Sequence, residues 1–139
     1  MTDRENKIDL MEKAMEARKA SYAPYSGYKV GAALLCEDGS IVTGCNVENA
    51  SYGAANCGER TAVFKAVSEG KRRFSAIAIA GGKEGNMDYA CPCGICRQVL
   101  REFCDPKQMK VLICKSTEDY KEFTLEELLP ESFGPENLE

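Results

Sequence analysis

The residues of this chain that can do chemistry are three cysteines and one acidic side chain, spread over two short stretches. Cys57 is followed two positions later by Glu59, and Cys93 and Cys96 are separated by two residues directly after Pro92. Three thiolates can bind one zinc ion and leave its fourth tetrahedral position to water, which distinguishes a catalytic zinc site from a closed structural one. Glu59 would then stand beside that water as a proton carrier. The spacing therefore predicts a hydrolytic zinc site built from both stretches.

Two other interpretations of the cysteines stay open. A Cys-x-x-Cys pair at the start of a helix is also typical of thioredoxin-like redox proteins. A structural zinc site is the other, but such sites normally take four protein ligands, and the chain has no histidine. Cys91 is the nearby candidate for a fourth ligand, but its place immediately before Pro92 makes zinc binding together with Cys93 awkward. We therefore favour the open site.

Three thiolates would surround the zinc ion with negative charge and weaken its ability to acidify water. Cys57 and Cys93 each lie at the N-terminus of a predicted helix. The positive end of each helix dipole can offset part of that charge, because helix N-termini favour thiolates. Arg60, the residue after Glu59, can offset more of it from outside the ligand set. The simpler alternative for Arg60 is a surface arginine in an exposed ion pair.

The two stretches need a scaffold, and apolar spacing predicts one in which strands and helices alternate. Helices are expected over 3–20, 56–69, 92 to about 103 and 125–130. Strands are expected over 30–36, 41–46, 75–80, 110–114 and 120–123, with a polar loop over 83–90. This order predicts an α/β fold whose central sheet is covered on both faces.

Polar side chains end the second predicted strand. Asn46 and Glu48 are two positions apart, so their side chains point to the same side of an extended chain. An amide beside a carboxylate can hold a sugar hydroxyl, because the amide donates a hydrogen bond and the carboxylate accepts one. A polar loop after a strand explains the same spacing equally well.

Size and charge limit the classes of partner. The chain has 139 residues, which suits a single domain over 1–139. Its formal net charge is -4 and its one basic run is 71–73, so we expect no nucleic-acid partner. We expect no membrane partner and a cytoplasmic location, because no apolar run spans a bilayer and the charged N-terminus lacks the apolar centre of a signal peptide. A base on which this protein acts should therefore arrive as a small molecule.

Taken together, these motifs resemble those of the short-form, homotetrameric cytidine deaminases of the cytidine and deoxycytidylate deaminase superfamily. The likeness runs through 25–33, 44–52, both cysteine stretches and 128–133, and so covers most of the chain. It implies a three-layer α/β/α sandwich with a mixed five-stranded sheet and one Zn2+ per subunit. It also implies hydrolytic deamination of cytidine and 2'-deoxycytidine, small-molecule nucleosides of pyrimidine salvage.

The resemblance assigns roles to the residues of the zinc site and the sugar pair. Cys57, Cys93 and Cys96 would bind the metal. Glu59 would take a proton from zinc-bound water and return protons to N3 and to the departing amine. The pair formed by residues 46 and 48 is typical of the nucleoside-specific members, in which it binds the ribose 3'-hydroxyl.

The resemblance also names five further substrate-binding positions. The Tyr28 ring would lie near the base, the backbone N–H of Gly58 would reach the pyrimidine O2, and the backbone carbonyl of Cys91 would lie near the leaving amine. These three positions differ from the usual phenylalanine, alanine and serine of the family. Tyr52 and Phe133 would reach the active site of a neighbouring subunit.

Two further functions are alternatives. An enzyme of the same fold can deaminate a cytosine-nucleoside antibiotic similar to blasticidin, and substrate screening separates that activity from cytidine deamination. A zinc-binding or redox module without catalysis is the alternative from a different class. It predicts that Glu59→Gln leaves every measurable property intact.

Overall fold

A central sheet with helices on both faces organises the computed structural model, which describes residues 2–139. The strands are β1 (Tyr28–Cys36), β2 (Ile41–Cys45), β3 (Phe74–Lys83), β4 (Asn86–Asp88), β5 (Lys110–Cys114) and β6 (Tyr120–Thr124). The helices are α1 (Asp3–Arg18), α2 (Gly58–Ser68), α3 (Gly94–Arg101) and the short α4 (Leu125–Leu128). Short 3-10 turns cover Tyr52–Ala54 and Pro135–Leu138. The predicted α/β fold is confirmed.

The sheet is mixed, as the resemblance implies. Its strands run in the order β2-β1-β3-β5-β6, with β3 and β5 parallel and the other neighbours antiparallel. The short strand β4 is a correction, because the sequence predicted a loop over 83–90 and only five strands. It pairs antiparallel with the end of β3, where Gly81 lies opposite Asp88. Its three residues include two polar side chains and are too few to form the run of alternating apolar residues that would predict a strand.

Helices cover both faces of the sheet and complete three layers. On one face α1 buries Leu10, Met11 and Ala14 against Ala33 and other small residues of the strands. A capping box fixes the start of α1, since Thr2 Oγ1 accepts from Glu5 N over 3.1 Å and the Glu5 side chain accepts from Thr2 N. On the other face α2 and α3 pack on the larger apolar cluster, with Ala62, Val63, Ala66 and Leu100 buried. Within 2–139, no helix combines the length and apolar character needed to cross a membrane.

Two glycines let helices approach the sheet backbone closely. A Cβ at Gly44 in β2 would lie 2.4 Å from the nitrogen of Ala62 and 2.8 Å from the carbonyl oxygen of Gly58. A Cβ at Gly31 in β1 would lie 2.1 Å from the carbonyl oxygen of Ala14 in α1. Because α2 rests directly on β2, the residues of its first turn have a fixed position relative to the strand ends.

Candidate active site

Three cysteine sulfurs meet where α2 and α3 begin. Cys57 is the N-cap of α2, Cys93 is the N-cap of α3, and Cys96 lies buried in the first turn of α3. The Cys57 and Cys93 sulfurs are 3.8 Å apart, the Cys93 and Cys96 sulfurs are 3.5 Å apart, and all three lie within 4.8 Å of one another. A tetrahedral zinc ion with Zn–S bonds of about 2.3 Å separates its sulfur ligands by about 3.8 Å. The sulfurs therefore match the geometry of a zinc site.

The number of protein ligands also fits a catalytic site. Among residues 2–139, this group of three is the only set of His, Cys, Asp and Glu side chains close enough to share a metal ion. Cys91 is not part of the group, although it lines the cavity beside it. Three protein ligands are the number found in catalytic zinc sites, whereas structural sites take four.

Positive charge lies directly against the sulfur cluster. Arg60 Nη2 donates to the sulfur of Cys57 over 3.2 Å. Hydrogen bonds from the Cys96 thiol and from the Arg60 guanidinium lower the pKa of Cys57 to about 5. The Nε atom of Arg60 is buried and has no hydrogen-bond partner among residues 2–139. Arg60 therefore contacts the cluster and is not a surface arginine in an exposed ion pair.

Glu59 is the buried acid of the site. It lies in the first turn of α2, its residue is only 4% exposed, and it lines the same cavity as Cys57 and Cys93. Burial raises the pKa of the Glu59 carboxyl to about 7. A carboxyl that changes protonation state near neutral pH can both accept and release a proton.

The hydrogen bonds of Asn46 leave its side chain with one free donor and no free acceptor. Its Oδ1 accepts from Val30 N over 2.8 Å and from the Ser21 hydroxyl, which uses both lone pairs of the amide oxygen. Its Nδ2 donates one hydrogen to the Tyr28 carbonyl oxygen over 2.8 Å. Within residues 2–139, the second amide hydrogen is left over, so Asn46 can offer the cavity a donor.

The hydrogen bonds of Glu48 leave its carboxylate with a free acceptor. Its Oε1 accepts from the backbone N–H groups of Tyr25 and Ser26, at 2.9 and 3.1 Å, and its Oε2 accepts from the Ser26 hydroxyl. Each carboxylate oxygen can accept about two hydrogen bonds. Within residues 2–139, Oε2 thus retains one lone pair, and Glu48 offers an acceptor to the same cavity that Asn46 lines.

One cavity of about 500 Å³ collects most of the predicted site residues. Its lining includes Tyr28, Asn46, Glu48, Tyr52, Cys57, Gly58, Glu59, Arg60, Cys91 and Cys93. Phe133 is not part of that lining and is 58% exposed, on the segment that follows α4. Cys96 contributes its sulfur from behind, where the residue is fully buried.

Sequence reasoning missed three polar lining residues. Ser26 holds Glu48, Asn56 donates to Thr61 Oγ1 over 3.3 Å, and Tyr89 donates a hydrogen bond to Asp119. Ser26 lies in a turn and Tyr89 directly follows β4, so neither belongs to a periodic pattern that could have indicated it. The polar turn around Ser26 was the one available signal.

The fold and the site together define a zinc-dependent enzyme. Residues 4–113 match the family model of the cytidine and deoxycytidylate deaminase zinc-binding region. The cytidine deaminase of Halalkalibacterium halodurans is 48% identical over 129 residues, which are 93% of this chain and 95% of that protein. The Mycobacterium tuberculosis cytidine deaminase is 41% identical over 125 residues, covering 90% and 87% of the two chains.

A solved structure agrees with these relatives. The crystal structure of cytidine deaminase from Burkholderia pseudomallei superposes with a TM-score of 0.82 at 45% identity, covering 96% of this chain and all of that one. The chain therefore belongs to the cytidine and deoxycytidylate deaminase family.

Proposed function

We propose that the protein deaminates cytidine and 2'-deoxycytidine by hydrolysis and releases ammonia with uridine or 2'-deoxyuridine. The observation that carries the proposal is a single cavity that joins zinc-binding thiols, the buried Glu59 and the complementary Asn46 and Glu48. Relatives called cytidine deaminases, identical at up to 48%, support the same reaction.

Glu59 is the proton carrier of this reaction. When bound, zinc supplies the acidity that turns water into a nucleophile near neutral pH. The Glu59 carboxylate accepts a proton from the attacking water and delivers it to N3 of the cytosine ring. It then accepts the second proton, from the new hydroxyl at C4, and passes that proton to the amine leaving C4. A C–O bond forms at C4 and the C4–N bond breaks, so that cytidine and water become uridine and ammonia. The burial of Glu59 keeps bulk water out of these transfers.

Asn46 and Glu48 bind the ribose 3'-hydroxyl. That hydroxyl can donate to Glu48 Oε2 and accept from Asn46 Nδ2, which are the capacities that the two side chains have left. Ribose and 2'-deoxyribose both carry a 3'-hydroxyl, so this pair serves both nucleosides. The one cation among the described lining residues is Arg60, which is bonded to Cys57, so the cavity suits a neutral nucleoside better than a nucleotide.

Three lining residues bind the base. The Tyr28 ring packs near the pyrimidine, the Gly58 N–H donates to O2, and the Cys91 carbonyl lies near the leaving amine. Their common position in the wall of the cavity supports these roles. The cavity volume of about 500 Å³ also suits a ligand of nucleoside size.

The active protein is a homotetramer in which Tyr52, which also lines the cavity of its own chain, and Phe133 reach a neighbouring subunit's site. Both aromatic residues are largely exposed in the single chain, at 76% and 58%. Sedimentation of the purified protein tests this, and a monomer that is fully active would contradict it.

The cell would use the reaction for pyrimidine salvage in the cytoplasm, where thiols stay reduced.

The decisive experiment compares three proteins incubated with cytidine, with zinc content measured on the same samples. The wild type should release ammonia and bind one zinc ion per chain. Glu59→Gln should keep zinc and lose activity by about 10²–10⁴-fold or more, because general acid–base catalysis contributes on that order. Glu69→Gln, an exposed acid at the other end of α2, is the matched control and should behave like the wild type.

Other results would point elsewhere. Wild-type turnover by Glu59→Gln would reject Glu59 as the proton carrier. Turnover of a blasticidin-like nucleoside but not of cytidine would favour an antibiotic deaminase, and no turnover at all would favour a zinc-binding or redox module. Glu48→Ala should weaken nucleoside binding and leave zinc content unchanged, so equal loss of zinc would show that Glu48 belongs to the metal site.

A further inference from the structure

The hydroxyl of Ser26 lies between the backbone and the Glu48 carboxylate, and the direction of its hydrogen bonds is fixed. The Tyr28 N–H donates to Ser26 Oγ over 3.0 Å, so the hydroxyl oxygen is the acceptor in that contact. The hydroxyl hydrogen is therefore available to Glu48, and it is donated to Oε2. A backbone donor, a serine hydroxyl and a carboxylate thus form a chain of hydrogen bonds at the cavity wall.

The two oxygens of Glu48 are held in different ways. Oε1 is fixed by two backbone N–H groups, those of Tyr25 and Ser26. Oε2 is held by one side chain only, the Ser26 hydroxyl, and it is the oxygen with acceptor capacity left for a ligand. Removing that hydroxyl would leave Oε1 as a pivot about which Oε2 can turn away.

We propose that Ser26 is a positioning residue that aims Glu48 Oε2 and thereby makes the site select nucleosides with a 3'-hydroxyl. The inference rests on the proposed function, because it takes Glu48 as the acceptor of that hydroxyl. Ser26 acts through Glu48 and needs no contact of its own with the substrate.

The turn that carries Ser26 does not depend on its hydroxyl. Gly27 N donates to the Ala23 carbonyl oxygen over 3.0 Å, and Gly27 adopts a φ of 69°, which glycine tolerates without strain. The two backbone N–H groups that bind Oε1 stay in place when the side chain is shortened. Ser26→Ala therefore keeps the turn and removes two hydrogen bonds, the one donated to Glu48 Oε2 and the one accepted from Tyr28 N.

The experiment measures kcat/KM for cytidine and for 3'-deoxycytidine in four proteins. The proteins are the wild type, Ser26→Ala, Ser26→Thr and Ser40→Ala. Ser40 is the matched control, because its hydroxyl also binds a carboxylate, Asp38 Oδ1 at 2.5 Å, in the β1–β2 turn. The same preference is measured by calorimetric binding of both nucleosides, so that the result does not depend on turnover.

The wild type, Ser26→Thr and Ser40→Ala should prefer cytidine to 3'-deoxycytidine by the same ratio. In Ser26→Ala that ratio should fall on the order of tenfold, through KM for cytidine, with kcat and the 3'-deoxycytidine kinetics unchanged. An unchanged ratio in Ser26→Ala, or a parallel loss for both nucleosides, would overturn the proposal. Failure of the wild type to deaminate cytidine would instead count against the proposed function, while the binding ratio still decides the role of Ser26.

Discussion

Gly44→Ala should impair catalysis although Gly44 does not line the cavity. The new Cβ would lie 2.4 Å from Ala62 N, whereas ordinary van der Waals contacts begin at 3.4 Å. Both atoms that it meets first belong to the backbone of α2, so the helix must move away from β2 by about 1 Å. Cys57 is the N-cap of that helix and Glu59 lies in its first turn, and a misplacement of about 1 Å can reduce a rate on the order of 100-fold. Overpacking should also cost about 1–3 kcal/mol of stability.

Gly31→Ala is the matched control on the opposite face of the sheet. Its Cβ would lie 2.1 Å from the Ala14 carbonyl oxygen and 2.3 Å from Arg18 N, both in α1. That helix contributes no residue to the lining of the cavity. We therefore expect a comparable fall in Tm but nearly wild-type kcat/KM, provided that both variants are assayed well below their Tm.

The assay combines thermal unfolding, cytidine deamination followed by absorbance, and zinc content. The reasoning predicts that both variants lose stability and that only Gly44→Ala loses most of its activity. If Gly44→Ala keeps the wild-type kcat while its Tm falls, the close packing of α2 on β2 does not position the residues of the site. Equal loss of activity in Gly31→Ala would mean that destabilisation of the fold on either face of the sheet is enough to reduce activity.

Three further predictions concern the tail, the substrate and the thiols. Arg101→Ala should speed proteolysis within 129–139, because the nearly buried Arg101 binds Ser132 and Glu136, and cleavage at the wild-type rate would contradict this. Cytidine 5'-monophosphate should be a much poorer substrate than cytidine, since Arg60, the one cation among the described lining residues, is already hydrogen-bonded to Cys57; equal kcat/KM values would refute that argument. At mildly alkaline pH, Cys104 and Cys114 should resist alkylation in the native protein, because burial raises the pKa of both thiols to about 11. Mass spectrometry after chelation should find label first on the exposed Cys91 and Cys93 and on the half-buried Cys57, and prior labelling of the buried pair would show that burial does not protect them.

The elements that sequence predicted well carry their signal locally. The first helix has a capping box and apolar spacing, and it ends at Arg18, two residues before the predicted end. The strands β1, β3 and β5 are apolar over most of their length and are largely buried. By contrast, β4 is a strand only because its polar residues pair with the end of β3 after a turn at Gly85, which has a φ of 74°.

The same distinction applies within the site. The grouping of Cys57, Cys93 and Cys96 could be predicted, because thiols at this spacing are typical of zinc sites. The contact of Ser26 with Glu48 could not be predicted, because the two residues lie 22 positions apart in the sequence. Nor did spacing alone distinguish a sugar-binding pair at 46 and 48 from a polar loop. The hydrogen bonds around the pair favour sugar binding, since they leave one donor and one acceptor in the lining of the same cavity.

The starts of α2 and α3 show what the chain gives up for the metal site. An N-cap residue normally accepts a hydrogen bond from the first turn through a Ser, Thr, Asp or Asn side chain, and its loss costs about 1 kcal/mol. Cys57 and Cys93 occupy these two N-cap positions, and neither side chain makes a capping hydrogen bond within residues 2–139. By contrast, α1 and α4 begin with complete capping boxes at Thr2 and Thr124. The two helices that lack a capping hydrogen bond are the two whose N-cap cysteines turn their sulfurs toward each other. Zinc binding is the interaction that can offset the cost of the missing caps.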